Sequence, residues 1–313
     1  MAGGSLGVNP PNANIHITQH TSDWLWAVFA IFLLTDLIFI FWSLRRPRGQ
    51  RLFHQIPIII LTVGAIAYYS MASDLGATPV QVEWARAGRF GTRQIWFVRY
   101  IQWFINAPLL LLLLFLASGL APGDIAVAMF MIDVTVIMGL VGALTPTRYK
   151  WGYFVFGVAS LIYVWWAFLG HGRTSNFSAG APVRTNFLAG SSFLSFIFLL
   201  YPVAWALSEG SNRIGPTGEM IWYGILDLCA APLFLLFHTW RLRNVEYNTF
   251  GLSSGKPTDY GRVSGDTMRG SGGGVTGATG PGVGGHGVGN TGVGGANVGT
   301  ANGVGAPGGA ARV

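Results

Sequence analysis

Charge is what this sequence has least of. Only 10% of its 313 residues are Asp, Glu, Lys or Arg, against about 25% in ordinary globular chains. So few charges cannot cover a water-facing surface, which excludes the soluble two-domain protein that the length alone would suggest. Lysine is scarcer still, with 2 residues against 17 Arg and 12 acids. The Arg residues gather at the ends of apolar runs, and no basic patch interleaves with polar, solvent-facing structure. A nucleic-acid surface is therefore excluded. The single cysteine, Cys229, permits no intrachain disulfide and says nothing about redox compartment. Residues 1–22 carry no Lys or Arg, so the basic n-region of a cleaved signal peptide is missing. Neither His54 nor His238 has ligand spacing to another His, Cys or acid, which argues against a metal. No Ser/His/Asp, Cys/His or phosphate-loop arrangement supports an enzyme.

What the chain has instead is long apolar runs, 51% hydrophobic and 14% aromatic residues overall. The first follows a Thr21-Ser22-Asp23 cap and runs to about Leu44. Others span about Phe53–Ala72, Ile95–Ser118, Pro122–Leu144, Trp151–Leu169, Phe187–Leu207 and Glu219–Trp240. Each is long enough to cross a bilayer, so the spacing predicts an all-α membrane protein of seven transmembrane helices. Residues 1–22 form a polar N-terminus, 23–243 the helical domain, and 73–93 a loop. From 244 the character changes, and 264–313 is dominated by Gly without a strict three-residue period. Such a segment is predicted to be a disordered tail. If the N-terminus lies outside, Arg45, Arg46, Arg48, Arg51, Arg173, Arg184, Arg241 and Arg243 fall on the cytoplasmic side. Arg86, Arg89, Arg93, Arg148, Lys150 and Arg213 then fall on the other. The dense first loop places the N-terminus out and the C-terminus in, which leaves the Asn176-Phe177-Ser178 sequon cytoplasmic and unused.

Charges within the runs are costly and so informative. Arg99 lies one turn inside the third run and Asp227 near the middle of the seventh, and they are expected to pair. Asp36 and Asp133 are the other mid-helix acids, more simply hydrogen-bonded structural groups than a proton relay. Pro108, Pro202 and Pro232 free backbone carbonyls and favour a cavity. Trp103, Tyr201 and Trp205 either line it or pack. His54 and His238 stand near the ends of the second and seventh runs.

Taken together, these residues resemble the microbial (type 1) rhodopsin family over about residues 20–243. Trp24-Leu25-Trp26 resembles the start of its first helix. Arg99-Tyr100 with Trp103, Asn106 and Pro108 resembles its third, and Gly139 to Thr145 the end of its fourth. Tyr201-Pro202 with Trp205, then Glu209 and Glu219, is similar to the sixth helix and the outer acidic pair. Leu226-Asp227 is similar to the seventh-helix motif. The resemblance implies a seven-helix bundle of the microbial rhodopsin type.

It also exposes departures. The family's retinal-binding lysine, four residues after the seventh-helix aspartate, falls at Ala231. The third-helix counterion falls at Gln102 and the proton donor at Leu113. Lys150 stands at a helix boundary and Lys256 in the tail, so no covalent retinal is expected. The pattern resembles the fungal opsin-related branch that includes heat-shock plasma-membrane proteins. That likeness implies a stress-associated, chaperone-like or ATPase-modulating protein of the plasma membrane. Its partners would be the lipid bilayer and other membrane proteins, such as a proton-pumping ATPase; a homo-oligomer is compatible with it. Two alternatives stay open. One is a residual ion or proton transporter using Asp227, Arg99, Asn106, Glu209 and Glu219. The other is a sensor holding an apolar ligand non-covalently.

Overall fold

A computed structural model of the chain describes residues 4–85, 88, 91–175, 180–245, 247–250 and 252. The chain divides into two units, 1–263 and 264–313, and the second lies wholly outside the described residues. So do Arg86, Arg89, Lys256 and the Asn176-Phe177-Ser178 sequon. The expectation of a disordered Gly-rich tail therefore falls outside the described residues.

Seven helices have the length and apolar composition of membrane spans: α1 (Gln19–Leu44), α2 (Leu52–Ala72), α3 (Phe97–Leu116), α4 (Pro122–Leu144), α5 (Lys150–His171), α6 (Ala181–Gly210) and α7 (Pro216–Leu242). Each packs on its neighbour in sequence, and α7 returns to α1, closing a ring. The surface is inverted relative to a soluble protein. Leu34, Phe130, Val155, Phe156 and Phe196 are more than half exposed, while Arg99, Glu219 and Asp227 are buried. Hydrocarbon around the ring and charge within it is the stable arrangement in a bilayer.

Several helices extend beyond their apolar runs. α1 starts at Gln19, not after Asp23, because Thr18 and Thr21 form a reciprocal capping box. α6 begins at Ala181 across polar Arg184, Thr185 and Asn186, with Pro182 in its first turn. Past α7 the chain stays against the bundle, where the Phe250 ring lies 4.8 Å from that of Phe53. Proline shapes the interior of α7 as well. Pro232 brings no N–H, so the Leu228 carbonyl loses its usual donor. The turn Cys229–Leu233 widens to a π-helix. α5 and α6 end in similar wide turns, Ala167–His171 and Ala206–Gly210.

Residues 73–93, expected as loop, instead contribute to a hairpin of β1 (Thr78–Gln81) and β2 (Thr92–Ile95), antiparallel with Thr78 opposite Ile95. Ile15 adds a parallel bridge to Arg93, its N–H donating to Thr92 O at 2.9 Å. Two four-residue strands, one containing Pro79, leave too weak a pattern to read, and much of their support comes from a segment 78 residues away. The hairpin buries Arg93 and Gln94. Gln94 Nε2 donates to Asp74 Oδ1 at 2.5 Å. Burial holds the Asp74 carboxyl above its ordinary value, and that hydrogen bond draws it partly back.

Candidate functional site

Two polar clusters sit one above the other inside the ring. The deeper one is built around Asp227 on α7. Tyr201 on α6 donates to its Oδ1 at 2.5 Å and Trp103 Nε1 on α3 at 3.2 Å. Tyr68 on α2 donates to Oδ2 at 2.7 Å, with Gln102 Nε2 at 3.5 Å. Asp227 is fully buried, and four donors from three neighbouring helices offset its desolvation. Arg99 is not among them. The expected Arg99–Asp227 pair is thus corrected: the guanidinium turns toward the hairpin end of the bundle.

There it meets the two glutamates. Arg99 Nη2 lies 3.1 Å from Glu209 Oε1 and Nη1 3.5 Å from Glu219 Oε1. Arg93, carried in by β2, is ion-paired with Glu219 and donates to Asn212 Oδ1 at 2.6 Å and Ile214 O at 2.8 Å. Tyr100 and Tyr223 donate to Glu209 at 2.8 and 3.3 Å, and the Arg99 guanidinium lies 3.5 Å from the Tyr223 ring centroid. The outer acidic pair is therefore a buried network of two guanidiniums and two carboxylates. Glutamates at the ends of α6 and α7 reach one point because the arginines come from the first turn of α3 and from the strand just before it. Geometry prefers these nearer carboxylates, since reaching Asp227 would take Arg99 deeper into the bundle.

The remaining candidate residues take separate places. Asn106 Nδ2 donates to Ile60 O on α2 at 3.0 Å. Pro108 lies inside α3. Trp205 Nε1 donates to Gly139 O at 3.1 Å, and its ring stacks on Phe154 at 5.2 Å. Leu113 and Ala231 are buried in the apolar core. Asp36 accepts from Thr62 at 2.8 Å, far along the chain from Asp133. Among the described residues no group of three His, Cys, Asp or Glu could hold a metal.

Beside the Asp227 cluster lies an apolar cavity of about 120 Å³, lined by Trp103, Phe154, Phe198, Tyr201, Pro202 and Trp205 among others. Ala231 is not part of its wall. Position 231 carries a methyl group in place of an amine, and Lys150, the lysine among the described residues, stands at the start of α5, 4.0 Å from Glu83.

Sequence reasoning missed Tyr68, Arg93 and Tyr223. Tyr68 sits in an apolar run that gives no hint of its facing an acid 159 positions away. Arg93 lay in what read as loop. A Tyr four residues before Asp227, and so on its face of α7, was a signal that Tyr223 borders the site.

Comparison with known proteins gives consistent results. A profile described as "Bacteriorhodopsin-like protein" matches residues 19–243. Protein FDD123 of Trametes versicolor is 55% identical over 272 residues, 87% of this chain and 95% of that protein. The 30 kDa heat shock protein of Saccharomyces cerevisiae is 34% identical over 265 residues, 74% of this chain and 75% of its own. Among solved structures, the light-driven proton pump of Coccomyxa subellipsoidea superposes with a TM-score of 0.69 at 30% identity. That match covers 72% of this chain and 98% of the pump.

Proposed function

Because this chain belongs to the bacteriorhodopsin-like family, we propose that it is an opsin-related membrane protein that carries no covalent retinal and works as a stress-associated regulator of its membrane. The observation that carries this reading is Ala231, four residues and one helical turn beyond Asp227 on α7. An alanine has no amine, so no imine forms. Gln102 supports the same reading: an amide does not accept a proton near neutral pH, and here it serves only as a donor to Asp227. Leu113, deep in the apolar core, has no proton to give.

The stress association draws on the printed name of the 30 kDa heat shock relative. In this reading the protein sits in the plasma membrane, N-terminus outside and C-terminus inside. It acts on other membrane proteins, a proton-pumping ATPase being one fitting class, and catalyses no reaction itself.

The test of the first half is direct. Full-length protein mixed with all-trans retinal should develop no visible band that hydroxylamine bleaches, and the appearance of one would sink the proposal. The second half is tested by co-purification from native membranes, with and without residues 245–313. Recovery of the protein free of any stoichiometric membrane partner in stressed cells would count against a regulatory role.

The apolar cavity favours one second reading, a sensor that holds an apolar ligand without a covalent bond. An Ala231→Lys variant discriminates. A visible pigment with all-trans retinal would mean the cavity still admits the ligand. A folded variant that stays colourless would remove this reading.

A further inference from the structure

At the end of the bundle opposite the hairpin, the α1–α2 connection and the last turn of α7 enclose a larger cleft of about 950 Å³. Its walls carry charge without a counter-charge. Arg45, Arg46 and Arg243 line it, and among the described residues none of the three has a carboxylate partner; Glu246 lies outside those residues. Two of the guanidiniums are held by rings, Arg45 at 4.2 Å from the Phe41 centroid and Arg243 at 4.1 Å from that of Trp240. Such stacking orients a cation, and although Arg243 Nη1 donates to Trp240 O at 3.1 Å, a guanidinium has further N–H groups to offer an anion.

The floor of the cleft adds an independent observation. His54 Nδ1 and Thr239 Oγ1 are buried without a hydrogen-bond partner, both residues line the cleft, and each is only 8% exposed. Buried polar atoms are seldom left unpaired, so two of them on residues that line one cleft point to a ligand bound there. The position fixes what kind of ligand. The cleft lies where α1 ends at Leu44, α2 begins at Leu52 and α7 ends at Leu242, the level at which spans meet headgroups. Beside it Phe41 and Trp240 are more than half exposed, an apolar surface next to the basic mouth.

We propose that this cleft binds the phosphate of an anionic membrane lipid. Arg45, Arg46 and Arg243 hold the phosphate oxygens, Thr239 donates from the floor, and the acyl chains lie against Phe41 and Trp240. The assignment is independent of what became of the retinal site.

Full-length protein in a neutral detergent provides the test, with short-chain phosphatidic acid, short-chain phosphatidylcholine and inorganic phosphate as probes. Affinity is read by native mass spectrometry and by the ligand-induced rise in Tm. Phosphatidic acid is expected to bind saturably and in preference to phosphatidylcholine. Substituting all three arginines (R45Q, R46Q and R243Q together) should weaken it by about a hundredfold. The arginines are exposed, so the substituted protein is expected to keep the ligand-free Tm of the parent. Thr239→Val keeps every arginine and should still weaken binding severalfold. Competition by inorganic phosphate would support recognition of the phosphoryl group. Binding of inorganic phosphate with none of phosphatidic acid would overturn the lipid assignment. So would equal affinity for phosphatidylcholine, or binding unmoved by Thr239→Val.

Discussion

Buried charges in this bundle are held by specific partners, which makes their substitutions directional. Arg93 and Glu219 are both buried, so removing Arg93 leaves the Glu219 carboxylate with only the longer contact to Arg99 at 3.5 Å. Arg93→Gln should cost about 3–5 kcal/mol, read as a fall in Tm. Adding Glu219→Gln to it should recover part of that loss, because the second change removes the stranded charge. A double-mutant cycle with no coupling would show that the pair contributes nothing. Asp74 gives the opposite sign. Its ordinary value is 3.8 and burial raises it in the folded protein. The folded state thus holds its proton to higher pH than the unfolded chain does. Stability therefore falls as pH rises through that interval, and the cost is complete above the folded value. Asp74 also has a φ of 58°, where Asn is well tolerated, and Asn keeps an acceptor for Gln94. Asp74→Asn should raise Tm at neutral pH, with the gain vanishing on acidification to about pH 4 or below, as thermal melts across pH would show.

Helices and strands show what the sequence could and could not disclose. The seven spans were readable because an apolar run of some 20 residues has few other uses. Their ends were not, since capping by Thr18 or Pro182 carries a helix into polar sequence that hydropathy treats as loop. The hairpin escaped notice because its pairing with Ile15 is non-local. Within the site, Trp103, Tyr201 and Trp205 were read as lining a cavity or packing; all three line one, and the donation of Trp103 and Tyr201 to Asp227 was not foreseen. The partner of Arg99 was misjudged because depth along a helix does not say which of three carboxylates a long, flexible side chain will reach. Close approach of two elements offers a test of its own. At Gly224 of α7 an added Cβ would lie 2.6 Å from Trp24 Nε1 on α1, and that indole donates to Met220 O at 3.3 Å. Gly224→Ala should destabilise the bundle by about 1–3 kcal/mol. Trp24→Phe in the same chain should restore part of it, as denaturation of the two variants would reveal.

For the whole molecule, the ring of seven helices with charge inside and hydrocarbon outside is what the family fold provides, and this chain keeps it while position 231 carries no amine. The fold is preserved by packing, by the donors around Asp227 and by the hairpin that carries Arg93 inward. The network at the hairpin end has one more property. Counted by side-chain type, its two guanidiniums and two carboxylates sum to no net charge. A membrane voltage does work of about 2.3 kcal/mol per elementary charge per 100 mV, but only on net charge that moves across the field. A neutral cluster tied to four elements offers almost none. Voltage steps applied to cells expressing this protein should then produce no gating current. A transient charge movement that Arg93→Gln abolishes would contradict this. The electrical silence follows from the pairing of charges that, met singly, would have made this end of the bundle a voltage sensor.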